Sequence, residues 1–243
     1  MERAKKSLSQ NFLIDKNISK KIINLTTITN KVILEIGPGY GFMTDNILKK
    51  KPKKIILVEK DYNLKKILLK KYKDNKNIII IENDILKYNL SEYQNLIIIS
   101  NLPYNVSTKI ILYLYKFNKN ISEMIFMIQK EVAQKFDYNL PKMNKYKFLT
   151  KITCTFHRCF DVSSKVFTPK PKVNSTVIKL KFNKHNPDLK KAHYFSDKIF
   201  KNVRKKIYNN IKINIDNELV NKRVNQLTIE QLLTIYNFFN FRF

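Results

Sequence analysis

Lys31-Val32-Ile33-Leu34-Glu35-Ile36-Gly37-Pro38-Gly39-Tyr40-Gly41-Phe42 contains all three glycines of this 243-residue chain. Average usage would scatter roughly 17 glycines along such a length. Elsewhere the turns fall to Asn, Asp, Lys and Pro, so glycine is kept for one place. It is the residue that tolerates positive φ and leaves no Cβ in the way of a ligand. Val32–Ile36 reads as a strand entering this loop and Phe42–Lys50 as a helix leaving it. A glycine-rich turn between strand and helix is where α/β folds bind nucleotide-like ligands.

Working outward, the same alternation repeats. Further strands are expected at Ile55–Glu59, Ile78–Glu82, Leu96–Ser100 and Glu123–Ile128, with amphipathic helices such as Tyr62–Tyr72 and Ser107–Tyr115 between them. Continuous Ile/Leu/Val strands separated by helices imply a parallel sheet. Ile152–Phe160 and Thr176–Phe182 follow with only a Pro-rich loop between them, so an antiparallel pair should end the sheet. After the polar break 183–187, Ala192–Ile211 and Thr228–Phe239 read as helices. The expected organisation is an α/β domain over 1–183 and a small helical domain over 184–243.

The composition is strongly basic: 47 Lys+Arg against 19 Asp+Glu, a formal charge of +28. Only five of the 47 are Arg, and Lys, Asn and Ile are abundant, as in a genome rich in A and T. That bias accounts for part of the excess; the remainder favours a polyanionic partner, first of all nucleic acid. No apolar stretch approaches the ~20 residues of a membrane span, and the N-terminus has no signal-like apolar run. The expected location is the cytoplasm. Cys154, His157 and Cys159 form a C-x2-H-x-C cluster without a fourth ligand nearby in sequence, so no metal is expected.

Chemistry should gather at the C-terminal ends of the strands. Glu59 ends the second strand, where a carboxylate can accept from both hydroxyls of a ribose. Asp84 follows the third and can accept from an adenine N6–H. The loop is G-x-G-x-G, with Phe42 where a dinucleotide fingerprint wants its third glycine, and Pro38 removes a backbone N–H that could hold a pyrophosphate. Glu35 adds negative charge. These features favour S-adenosylmethionine, which carries a sulfonium and an ammonium in place of phosphates. Asn101-Leu102-Pro103-Tyr104 ends the fourth strand. The adenine N6 amine is a poor nucleophile. Two acceptors, the Asn101 side-chain carbonyl and a backbone carbonyl at Leu102 or Pro103, would direct its lone pair, while Tyr104 stacks on the base. An adenine in such a site has left its helix.

Five motifs occur in order: Lys6-Ser7-Leu8-Ser9-Gln10-Asn11-Phe12-Leu13, Leu34–Gly39, Asn101–Tyr104, Gln129-Lys130-Glu131-Val132, and Phe167-Thr168-Pro169-Lys170-Pro171-Lys172-Val173-Asn174-Ser175. With them the chain resembles, over nearly its whole length, the ribosomal RNA adenine N6,N6-dimethyltransferases, specifically the small-subunit enzyme. The resemblance implies a Rossmann-like methyltransferase fold with a seven-stranded sheet. It implies dimethylation of two adjacent adenines in a hairpin loop near the 3′ end of small-subunit rRNA, with a role in small-subunit biogenesis and an immature small subunit as partner of a monomeric enzyme. It places Gln10, Asn11 and Leu13 over the cofactor, with Gly37, Gly39, Glu59, Asp84, Ile85 and Asn101 around it. Phe167 becomes the second aromatic face of a clamp on the flipped adenine. In the basic tail, Lys201, Arg204, Lys205 and Lys206 are the expected RNA contacts. Other readings are the large-subunit rRNA methyltransferase of the resistance type, a non-catalytic assembly or transcription factor on this fold, and a small-molecule methyltransferase.

Overall fold

A computed structural model describes residues 11–184, 187–213, 215 and 217–239. The elements are β1 (Phe12–Leu13), α1 (Lys16–Ile23), β2 (Val32–Ile36), α2 (Phe42–Leu48), β3 (Lys54–Glu59), α3 (Tyr62–Lys71), β4 (Ile78–Glu82), β5 (Leu96–Asn101), α4 (Ser107–Leu114), β6 (Ile121–Gln129) and α5 (Lys130–Phe136). They continue with α6 (Lys145–Thr153), β7 (Cys154–Val162), β8 (Phe167–Thr168), β9 (Ser175–Phe182), α7 (Leu189–Ile199), α8 (Asn217–Asn221) and α9 (Ile229–Phe238).

Seven strands form one sheet in the order β4-β3-β2-β5-β6-β9-β7. β4 through β6 pair in parallel, and β9 runs antiparallel to β6 from Glu123↔Lys181 to Gln129↔Ser175. The expected seven-stranded α/β fold is therefore present. Its central strands are Ile-rich because helices cover both faces: Ile33, Leu34, Ile55, Ile56, Leu57, Ile98 and Ile99 are fully buried. β4, at the sheet edge, leaves Ile79 exposed. From β2 the chain winds outward through β3 and β4, then returns to lay β5 on the other side of β2. That reversal opens a crevice at the C-terminal ends of β2 and β5. Ser100 seals the junction beneath it, its hydroxyl donating to the Ile36 carbonyl at 2.6 Å.

Side-chain caps start several helices by satisfying orphan N–H groups. Asp15 accepts from the backbone of Asn17 and Ile18, Asp61 from Asn63, and Asn144 from Tyr146 and Lys147. α4, which follows Val106, has no side-chain cap, and neither does α2, whose N-cap is Gly41 at φ 74.

The described residues divide into two compact units. One holds residues up to 133 together with 157–182, and the other holds 134–156 with 183 onward. The second unit has an aromatic core, in which Phe148 lies 5.1 Å from Phe195 and 5.2 Å from Tyr236 between ring centroids. Lys147 is 3% exposed there, its ammonium donating to the Leu140 and Pro141 carbonyls at 2.7 and 2.6 Å.

Two expected boundaries are corrected. Ile152 and Thr153 belong to α6, and the strand begins at Cys154. The helix expected over Ala192–Ile211 ends at Ile199 and gives way to short 3-10 turns at Phe200–Asn202 and Ile207–Asn209. Tertiary pairing overrides helix propensity in this segment. Asn225 N–H donates to the Val203 carbonyl, Val224 N–H to Lys205 and Ile207 N–H to Lys222. Arg204, Lys205 and Lys206 thus stand on an exposed turn rather than on a helix face.

Candidate active site at the crossover of the sheet

Eleven of the twelve residues expected at the cofactor and the reacting amine line one cleft of about 450 Å³: Asn11, Leu13, Gly37, Gly39, Glu59, Asp84, Ile85, Asn101, Leu102, Pro103 and Tyr104. The twelfth, Gln10, lies outside the described residues.

The glycine loop owes its shape to positive φ at all three glycines, 60°, 60° and 74°. Their surroundings differ. A Cβ on Gly37 would meet no atom within 4 Å, so that position faces open cleft. A Cβ on Gly39 would press on the Phe12 ring at 2.8 Å, and one on Gly41 would lie 2.2 Å from the Tyr72 hydroxyl. Phe12 belongs to β1, which pairs antiparallel with β8 (Phe12↔Thr168, Leu13↔Phe167) and lays the N-terminal segment across the loop. Below, the end of α3 braces it. Tyr72 donates to the Gly41 carbonyl at 2.9 Å, and Lys71 Nζ to the Tyr40 carbonyl at 3.0 Å and to Asp45 at 2.6 Å. Neither residue carries a motif, so sequence reading had no signal for this brace.

Glu59 is buried, and its carboxylate is oriented by two backbone donors, Asp61 N–H at 2.9 Å and Gly39 N–H at 3.3 Å. Burial raises its pKa and those two N–H groups oppose the rise. Each oxygen keeps a lone pair for a ribose hydroxyl. Asp84 accepts from Leu86 N–H at 3.0 Å and from Lys60 Nζ at 2.9 Å. Partial burial would raise its carboxyl; Lys60 and the Leu86 N–H outweigh that and hold it below the usual range. Glu35 is 2% exposed, and burial pushes its carboxyl up to about 8 against a hydrogen bond from Thr44 at 2.6 Å. The walls therefore present Glu35, Asp45, Glu59 and Asp84, with Lys60 and Lys71 already paired to acids. With Glu35 protonated near neutral pH and Asp45 and Asp84 paired to lysines, the walls offer hydrogen-bond acceptors more than net charge, and they suit a ligand with a ribose diol and an amino group.

Across the cleft, β5 ends in Asn101. Its Nδ2 donates to the Asn11 carbonyl at 2.8 Å, while its Oδ1 is buried without a hydrogen-bond partner. The next residues turn tightly. Leu102 N–H donates to Met127, and Val106 N–H to Pro103 at 3.3 Å. Tyr104 is half-buried, and its hydroxyl lies 2.6 Å from the Ser175 Oγ.

The structure does not bring Phe167 to this cleft. Its ring is 3% exposed, packed in the core with Leu13, Val162 and Val177. Cys154 is buried in β7 with its thiol pushed up to about 12, and Cys159, five residues on, is only half-buried. Among the described residues no His/Cys/Asp/Glu cluster suits a metal, and no helix is long and apolar enough to cross a membrane.

Comparison with known proteins gives a consistent picture. A model of the family described as ribosomal RNA adenine dimethylase matches residues 1–240. A ribosomal RNA small subunit methyltransferase A from Hydrogenobaculum is 35% identical over 240 residues, covering 98% of this chain and 94% of the relative. A protein of the same name from Pelagibacter ubique is 41% identical over 186 residues, 72% of this chain and 69% of the relative. Among solved structures, a dimethyladenosine transferase from Plasmodium falciparum superposes with a TM-score of 0.78 at 21% identity, covering 94% of this chain and 100% of that one. A 23S rRNA methyltransferase does so with a TM-score of 0.77 at 19% identity, covering 93% and 98%. At those identities the two structures speak for the fold.

Proposed function

This chain belongs to the ribosomal RNA adenine dimethylase family, and on that footing we propose that it dimethylates N6 of two adjacent adenines in a hairpin loop near the 3′ end of small-subunit rRNA. S-adenosylmethionine supplies the methyl group when bound. The observation that carries the reading is the unpaired Asn101 Oδ1 in a cleft shared with the glycine loop. A buried acceptor without a donor costs about 1–3 kcal/mol, and the N6 amine of a flipped adenine supplies that donor.

In this reading Gly37 lets the cofactor approach the loop backbone, Glu59 takes the ribose hydroxyls and Asp84 the cofactor's adenine amine. Asn11 and Leu13 close over it, with Gln10 and Ile85 completing the surround. The Leu102 or the Pro103 carbonyl is the second acceptor for the target amine; the Pro103 carbonyl accepts one hydrogen bond from Val106 N–H and keeps a second lone pair. With both hydrogens held, the nitrogen lone pair is directed at the donor, and the rate gain comes from orientation and fixed dipoles. No side chain has to remove a proton first, because the product ammonium is acidic and loses its proton afterwards.

We assign methyl transfer to residues 1–183 and RNA contact to 184–243, where Lys201, Arg204, Lys205 and Lys206 are exposed. The substrate is the immature small subunit, met in the cytoplasm by a monomer. Mass mapping of adenine methylation after incubating immature small subunits with enzyme and labelled donor tests the proposal. Two dimethylated adjacent adenines in the small-subunit RNA support it. Incorporation into large-subunit RNA, or none into either, overturns it.

A further inference from the structure

We propose that Ser175 is a positioning residue for the target base: it holds the Tyr104 ring in stacking orientation before RNA arrives. The inference rests on the adenine-methylation reading and adds a residue to it. Ser175 opens β9 and is fully buried. Its backbone is fixed by the sheet, opposite Gln129 of β6, and the neighbouring Asn174 carbonyl accepts from Lys130 N–H at 3.1 Å. From that anchor its Oγ lies 2.6 Å from the Tyr104 hydroxyl. The other end of Tyr104 is held too, since its backbone carbonyl accepts from the Ser107 hydroxyl at 3.2 Å at the start of α4.

Consequences follow from elementary geometry. A tyrosine at the rim of a cleft can swing about χ1 and χ2, and a swung ring offers the base an edge rather than a face. Stacking depends on the face. Tethered at both ends, the ring forfeits a buried hydrogen bond whenever it turns away. The hydroxyl of Tyr104 thereby acquires a task that stacking alone does not require. On stacking alone, phenylalanine at position 104 would serve as well; the Ser175 hydrogen bond says that it does not. Ser175 is not among the residues lining the cleft, so its effect passes through Tyr104.

The test is a double-mutant cycle in the full-length enzyme on immature small subunits: wild type, Tyr104→Phe, Ser175→Ala and the pair. Single-turnover methylation is read at saturating RNA, well below the melting transition, with donor affinity measured by calorimetry. Each single variant should slow transfer by about three- to tenfold, the scale of one net hydrogen bond, with donor affinity unchanged. The pair should be no slower than either single variant, because both remove the same bond. Tyr104→Phe at the wild-type rate overturns the proposal, as do losses that multiply in the pair. Should Ser175→Ala fail to fold, Tyr104→Phe alone still decides, since it removes the bond without emptying the buried site. Absence of N6 methylation by the wild-type enzyme would instead refute the underlying reading, so the two failures are distinct.

Discussion

The side-chain amide of Asn101 donates to the backbone carbonyl of Asn11 at 2.8 Å, across 90 residues of chain. This hydrogen bond ties the segment that crosses the glycine loop to the end of β5. It also fixes which end of the amide is spent on the protein. The NH2 group is used, and the buried oxygen has no hydrogen-bond partner. Under the proposed function, cofactor cover and target recognition share this one side chain.

The glycines should separate by what their Cβ would meet. Gly37→Ala meets no neighbour within 4 Å, so its fold should survive at a cost of about 1–3 kcal/mol for the left-handed backbone, while donor binding falls in calorimetric titration. Gly41→Ala adds a clash with the Tyr72 hydroxyl and should lose more stability in thermal melting. Equal melting losses at the two positions would contradict this assignment.

Glu59→Ala should weaken donor binding by about 1.5–3 kcal/mol, the scale for hydrogen bonds involving a charged group. It also frees Gly39 N–H and Asp61 N–H, so a circular-dichroism check of folding accompanies the titration. Unchanged affinity in the folded variant would remove Glu59 from the ribose.

Glu35 should make the donor-free protein less stable as pH rises. Its carboxyl is raised from 4.5 to about 8 by burial, so between those values the native state holds a proton that the unfolded chain has lost. Stability then falls with pH through that window. Glu35→Gln should flatten this part of the melting profile, and an unchanged slope would show that the group does not titrate there.

Phe167→Ala distinguishes packing from stacking. A side chain 3% exposed among Leu13, Val162 and Val177 should cost about 3–5 kcal/mol of stability when truncated. A variant that melts like wild type yet binds RNA more weakly would restore Phe167 to the base.

Neutralising Lys201, Arg204, Lys205 and Lys206 should weaken RNA binding. It should also flatten the salt dependence by about 0.7–0.9 in log K against log salt for each phosphate that these side chains neutralise in the native complex. An unchanged slope would mark these charges as compositional.

Much of this was readable from the chain because local chemistry dictated it. Strands β2 and β4 match their expected bounds, since Ile-rich runs between turn signals leave little freedom. Gly37, Gly39, Glu59, Asp84 and Asn101–Tyr104 converge because strand ends in a parallel sheet must. What escaped reading depends on partners distant in sequence. The helix from Ala192 stops at Ile199 because the following backbone pairs with residues 222–225. Phe167 sits in the core because β8 pairs with β1. Tyr72 and Ser175 act through hydrogen-bond partners 31 and 71 residues away, and their types alone announce nothing.

The central claim is that Asn101 Oδ1 holds the target amine while carbon–nitrogen bonding changes. Asn101→Ala, in single-turnover assays on immature small subunits, tests it most directly. The rate should fall on the order of 100–1000-fold, with donor affinity weakened less than about tenfold through loss of the hydrogen bond to Asn11. Methylation by the variant at the wild-type rate would contradict the account.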